Sequence, residues 1–186
     1  MSLVRRILVM LLATAAAAIT VAGLGTTAAS AAPACNPKLA PYGLIGARWN
    51  QLGGPRSYLA CPTSGERDVY FTNGEWAGRR QRFQGGEITW SPRQGKRMVI
   101  TAWEANGYAH VSWGPTDPYH YDKFIVRWTA YGNTWQRDVT GGTSGQFRVV
   151  SETNGGYQFL IEGCDNGGIG GSKCRQGWTL PTATRR

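Results

Sequence analysis

The sequence is short of acids. Against 20 lysines and arginines, its 186 residues set only 11 aspartates and glutamates, for a formal net charge of +9. Charged residues make up 17% of the chain and hydrophobic ones 41%, which excludes disorder driven by charge excess. After residue 32 no apolar run is long enough to span a bilayer, which excludes an integral membrane enzyme. Gly-x-Ser-x-Gly, His-Glu-x-x-His and phosphate-loop motifs are missing. There is no Cys-x-x-Cys, and the two histidines, His110 and His120, stand apart from every cysteine, which argues against a zinc site.

The first 32 residues hold no acid and no aromatic, although the whole chain has 21 aromatics. A basic start (Arg5, Arg6), an apolar stretch from Ile7 to about Leu24 and the small residues Ala29-Ser30-Ala31-Ala32 follow in order. That order predicts a secretory signal over 1–32, cleaved near Ala31 or Ala32, rather than a membrane anchor. Arg5-Arg6 lacks the flanks of a twin-arginine signal, so general secretion is the route expected. The four cysteines, Cys35, Cys61, Cys164 and Cys174, all follow the signal, and an even count in an exported chain predicts two disulfides. Three pairings are possible; locality favours Cys35–Cys61 and Cys164–Cys174.

Composition divides the remainder near Lys96–Met98. Residues 33–97 carry ten basic and four acidic residues, whereas 98–186 carry eight and seven, so most of the positive field belongs to the first part. In that part Ile45, Trp49 and Leu52 recur at helical spacing, and Gly53-Gly54-Pro55 follows as a stop. Short apolar pieces come next: Leu59–Pro62, Val69–Phe71, Gln81–Phe83 and Glu87–Trp90. Thr72-Asn73-Gly74 and Gln84-Gly85-Gly86 separate the later pieces with hairpin turn chemistry.

The run Tyr42-Gly43-Leu44-Ile45-Gly46, Trp49, Leu52-Gly53-Gly54, Leu59–Thr63, Glu66, Gln81–Gly86, Ile88 and Trp90-Ser91-Pro92 resembles one LGFP repeat over about 40–97. The resemblance implies an exported actinobacterial protein bound or anchored to the cell wall, as that family occurs in mycolyltransferases and wall-lytic enzymes. The Gly and Phe of the Leu-Gly-Phe-Pro signature are here Ala60 and Cys61, and a Cys35–Cys61 staple would compensate the lost ring. The family strings several copies together, and this chain has one.

In the second part the period is two. Ala109, Val111 and Trp113 alternate with His110 and Ser112, and Phe124, Val126 and Trp128 with Ile125 and Arg127. Phe147 and Val149 share a phase, as do Tyr157, Phe159 and Ile161. Glycine-rich turns separate these pieces, predicting an antiparallel sandwich. Trp113 ahead of the loop Gly114–Pro118, Phe124-x-Val126-x-Trp128 and Tyr157-x-Phe159-x-Ile161-x-Gly163 resemble a fibronectin type III domain over about 98–183. The Leu-x-Pro upstream of that family's corner tyrosine is replaced by Ser151–Asn154. The fold class expected is therefore mainly β: a small α+β module over 33–97, a sandwich over 98–183 and a tail at 184–186.

Arg79, Arg80 and Arg82 beside Trp76, with Tyr58 and Tyr70, combine guanidiniums with aromatic faces, the chemistry that holds sugars and anionic polymers. Tyr119, His120, Tyr121 and Trp135 are the residues expected to meet a protein partner from the sandwich loops. His110, alternating with core positions, is assigned a structural place on the solvent face. Glu66, Asp68, Glu75 and Glu87 are the carboxylates a lytic enzyme would need in pairs. The sequence thus points to a secreted, non-enzymatic wall-binding protein without cofactor or metal, whose partners are wall polysaccharide or anionic polymer and not nucleic acid. Adhesion to a protein through the sandwich is the alternative, and a wall-lytic hydrolase has the least support.

Overall fold

A computed structural model describes residues 32–152, 156–167, 171–174 and 176–185. The export signal expected over 1–32 lies outside them apart from Ala32. Among the described residues no helix is long and apolar enough to cross a membrane.

Among the described residues one α-helix, α1 (Gly43–Gln51), is followed by eleven strands: β1 (Arg67–Tyr70), β2 (Trp76–Phe83), β3 (Gly86–Trp90), β4 (Val99–Ala105), β5 (Tyr108–Gly114), β6 (Tyr121–Ala130), β7 (Asn133–Gly142), β8 (Gly145–Val150), β9 (Gln158–Gly167), β10 (Gly171–Lys173) and β11 (Thr182–Ala183). The helix forms where the apolar spacing predicts it. Ile45 is buried, Trp49 stacks on Phe83 with ring centroids 6.2 Å apart, and the Trp49 indole N–H donates to the Ala60 carbonyl at 2.9 Å. Gly53, at φ 106°, turns the chain out of the helix in the left-handed region that glycine enters freely. Leu59–Pro62 is not a strand; only Pro62 bridges to Phe83.

The strands make two antiparallel sheets. The larger runs β1-β2-β3-β4-β5-β8 and the smaller β10-β9-β6-β7, with β11 also on β9. The larger sheet crosses the compositional division at 97/98 without a break: β3 pairs with β4 from Gly86↔Trp103 to Trp90↔Val99. Successive residues of β4 serve opposite faces. Val99 and Trp103 join Ile45, Leu59, Phe83 and Ile88 under α1, whereas Met98, Ile100 and Ala102 join Val111, Phe124, Val126, Phe159 and Ile161 between the sheets. One sheet therefore carries the helix on one face and the second sheet on the other.

The C-terminal segment stitches the two parts together. Leu180 N donates to Ser91 Oγ at 2.9 Å, Arg80 Nη2 to the Pro181 carbonyl at 3.2 Å, and Thr184 Oγ1 to Glu104 Oε1 at 2.8 Å. Thr184, expected at the start of a tail, is buried. Gln94, also buried, donates to the Gly177 carbonyl and accepts from Gly163 N at 3.0 Å. Both disulfides favoured by locality are formed, Cys35–Cys61 with Cα atoms 5.3 Å apart and Cys164–Cys174 with 4.2 Å.

Candidate functional site

The β1–β2 hairpin brings aromatic and charged residues of the first part to the surface. Its turn is closed by Gly74 N donating to the Phe71 carbonyl at 3.0 Å and Glu75 N to Asn73 Oδ1 at 3.1 Å. Tyr70 then pairs across the strands with Trp76. Trp76, 40% exposed, packs edge-on to Trp90 at 5.2 Å, and its indole N–H donates to Asp68 Oδ1 at 2.8 Å. Asp68 Oδ1 also accepts from Arg79 Nε at 2.8 Å, while Arg79 Nη1 donates to Tyr42 Oη at 2.7 Å and to Glu66 Oε1 at 3.2 Å. Arg79 is thus the tie that holds Tyr42, Asp68 and Trp76 in one place. Hydrogen bonds from Arg79 and then from Trp76 hold the Asp68 carboxyl below the usual carboxylate range. The bond to Asp68 raises Arg79 above its ordinary value. Burial pushes Glu66 up, and Arg79 opposes that shift.

The consecutive arginines of β2 do not act as one patch. Strand alternation sends Arg80 and Arg82 to the face opposite Arg79. There they stand across from Thr89 and Glu87, each with a guanidinium nitrogen 3.7 Å from a Glu87 oxygen. The Glu87 side chain is 4% exposed, and two cations around one carboxylate make that burial tolerable. Arg82 and Glu87 line a groove of about 610 Å³ with Gln84, Thr184 and Arg185. Tyr58 is exposed but lies apart from Trp76, its hydroxyl accepting from Asn106 Nδ2 at 3.4 Å beside the β4–β5 turn.

The residues expected to form a sandwich contact surface separate as well. Tyr119 and His120 are exposed in the loop before β6. Tyr121 is not at the surface: it is 4% exposed, packs on Phe124 at 5.6 Å and donates its hydroxyl to the Gln94 carbonyl. Burial pushes its phenol well above the ordinary range. Trp135 lies elsewhere, stacked on its cross-strand neighbour Trp128 at 6.0 Å. Tyr121 and Trp128 are seven residues apart on β6, which separates the two surfaces by about 24 Å. His110, expected to face solvent, is half-buried with its ring parallel to Trp103 at 5.0 Å, because the β4 indole covers it.

With this geometry in view, a family model adds one observation. The LGFP repeat model matches residues 59–115. The matched segment begins at Leu59, after α1, and runs through β1–β5 to Pro115, whereas the motifs in the sequence suggest 40–97. The LGFP segment is therefore itself continuous across the compositional division, in keeping with the β3–β4 pairing. The match points to a cell-wall-associated protein. No curated protein and no solved structure matches the chain. Among the described residues no group of three histidines, cysteines or carboxylates is arranged to hold a metal ion.

Two positions carry no motif in the sequence: Gln94, which ties both sheets, and Arg48, which reaches from α1 to Ser112 on β5. Helical spacing puts Arg48 three residues before Gln51, but nothing local marks the sheet residue it meets 64 positions later.

Proposed function

We propose that this chain is a secreted, non-enzymatic protein that binds actinobacterial wall glycan or anionic wall polymer through its LGFP segment. The observation that carries the reading is the coincidence of the family match with an exposed aromatic surface, Tyr70 and Trp76 beside Tyr42, fixed by the Arg79–Asp68 tie. Aromatic rings offer apolar faces to sugar rings, and a surface ordered before binding loses little entropy when it engages. Two disulfides suit an exported chain. Glu66, Asp68 and Glu87 are each engaged by arginine, which supports a structural rather than an acid–base use for them. The sandwich is read as a spacer of fibronectin type III type. Its support is the order β4-β5-β8 against β11-β9-β6-β7, with the Tyr157 hydroxyl donating back to the Val150 carbonyl at 3.3 Å.

Co-sedimentation of the 33–186 protein with purified actinobacterial walls tests this reading. Retention is expected to persist at about 0.5 M salt, where exposed charge attraction is screened within a few ångströms. Trp76→Ala is expected to weaken it by at least tenfold, or ~1.4 kcal/mol. Release by salt alone, or full retention of a folded Trp76→Ala protein, overturns the assignment. The exposed Trp135, stacked on half-buried Trp128, favours the second reading, adhesion to a protein through the sandwich. That reading requires a partner whose capture is lost in Trp135→Ala and kept in Trp76→Ala.

A further inference from the structure

Among the described residues, Arg48 is a cation without a counter-ion. Its guanidinium lies on the sheet and makes three hydrogen bonds, all to neutral acceptors: Nη1 to Gln51 Oε1 at 2.8 Å, Nη2 to Ser112 Oγ at 2.8 Å and Nε to Thr101 Oγ1 at 3.4 Å. Of the five N–H groups of a guanidinium, one on each terminal nitrogen is left over. The ion pairs of the described residues involve Arg79, Arg80, Arg82 and Lys123, and none involves Arg48. Burial pushes the Arg48 pKa below its ordinary value, as expected when a half-buried charge lacks a partner.

The surroundings show what would relieve this cost. Arg48 lines a groove of about 530 Å³ between α1 and the ends of β5 and β8, together with Gln51, Ser112, Trp113, Ser144 and Gln146. No acid lines it. Trp113 borders it only at the end of β5, because strand alternation turns its side chain to the opposite face, into the core between the sheets. A lone oxyanion would neutralise Arg48 and occupy a small part of this volume. The rest is bordered by serine hydroxyls and glutamine amides, which both donate and accept, as the hydroxyls of a sugar require.

We propose that this groove binds an acidic saccharide unit, with its carboxylate or phosphate on the two spare N–H groups of Arg48 and its hydroxyls on the serine and glutamine side chains. The planar fork of a guanidinium suits either oxyanion. The site lies apart from the Tyr42–Trp76 surface and stands or falls independently of it.

Titration calorimetry of the 33–186 protein with galacturonic acid and with a glucose phosphate tests the site. Saturable binding is expected, and the stronger of the two acids identifies the anion. Glucose is expected to bind at least about tenfold more weakly than the stronger acid. Arg48→Gln is expected to weaken binding of that acid by about tenfold or more. Because Arg48 also holds α1 to the sheet, Gln146→Glu serves as the second variant. It adds a carboxylate beside the guanidinium at an exposed position, leaves the bonds of Arg48 in place and is expected to give the same loss. Absence of saturable binding for both acids, or unchanged affinity in folded Arg48→Gln or Gln146→Glu, overturns the site. Inorganic phosphate or acetate binding as tightly as the sugars overturns its assignment to a saccharide.

Discussion

Glu162 is a buried carboxylate in the middle of β9, opposite Ile125, and burial raises its pKa above the ordinary value of 4.5 while Arg127 opposes the rise. A raised carboxyl binds its proton more tightly in the folded chain than in the unfolded one. The penalty is therefore absent below pH 4.5 and grows as pH rises through the folded pKa. Glu162→Gln is expected to be more stable than the natural chain at pH 7, with the gap closing as pH falls to 4; urea denaturation at both pH values checks this. Tyr121 shows the limit of reading single residues. In Tyr119-His120-Tyr121 it reads as a loop aromatic, yet its ring occupies the space where a Cβ on Gly163 would stand. Only a glycine 42 positions away makes that burial possible, and nothing adjacent in the chain announces it.

At the scale of elements, legibility follows how each element is covered. Helix α1 and strands β5, β6 and β9 each show one face to a core, so their apolar residues recur with a readable period. Strand β4 shows no alternation because both its faces are buried, one under α1 and one under the second sheet. Strand β7 shows none for the opposite reason. It is the outer strand of its sheet, most of its residues are exposed, and Asn133-Thr134-Trp135-Gln136-Arg137 reads as a loop. The disulfide between Cys35 and Cys61 anchors the segment before α1 to the small core beneath it. Replacing both cysteines with serine is expected to lower stability by about 2–4 kcal/mol, measured by chemical denaturation. A measured loss well below about 1 kcal/mol would mean that the segment before α1 contributes little to folding.

For the whole molecule the shared sheet has a direct consequence. Residues 33–97 end before β4, so β3 in that fragment would keep β2 but lose its other partner strand, and Ile88 would lose Val99 and Trp103 beside it. Residues 98–186 alone would lose the contacts of Ser91 and Gln94 with the C-terminal segment. The 33–186 protein is expected to unfold in one cooperative transition, and the isolated 33–97 fragment to show none, as followed by tryptophan fluorescence and circular dichroism. Two separate transitions in the longer protein, or a folded 33–97 fragment, would contradict a single shared sheet.

The amino-acid sequence by itself determined the local features of this protein: the helix at Ile45–Leu52, the hairpin turns and the alternating strands; it favoured the two local disulfide pairings, which the structure forms. It also carried the motifs matched by the LGFP repeat. These depend on neighbours a few positions apart, where spacing and turn chemistry act directly. Only the tertiary structure decided that β3 and β4 join the two parts and that Arg79 parts company with Arg80 and Arg82. It alone placed the uncompensated charge of Arg48 between α1 and β5. Each of those outcomes depends on pairing between distant segments and on which face another layer covers. Such pairings arise when the chain buries its apolar surface as a whole, so local pattern does not record them.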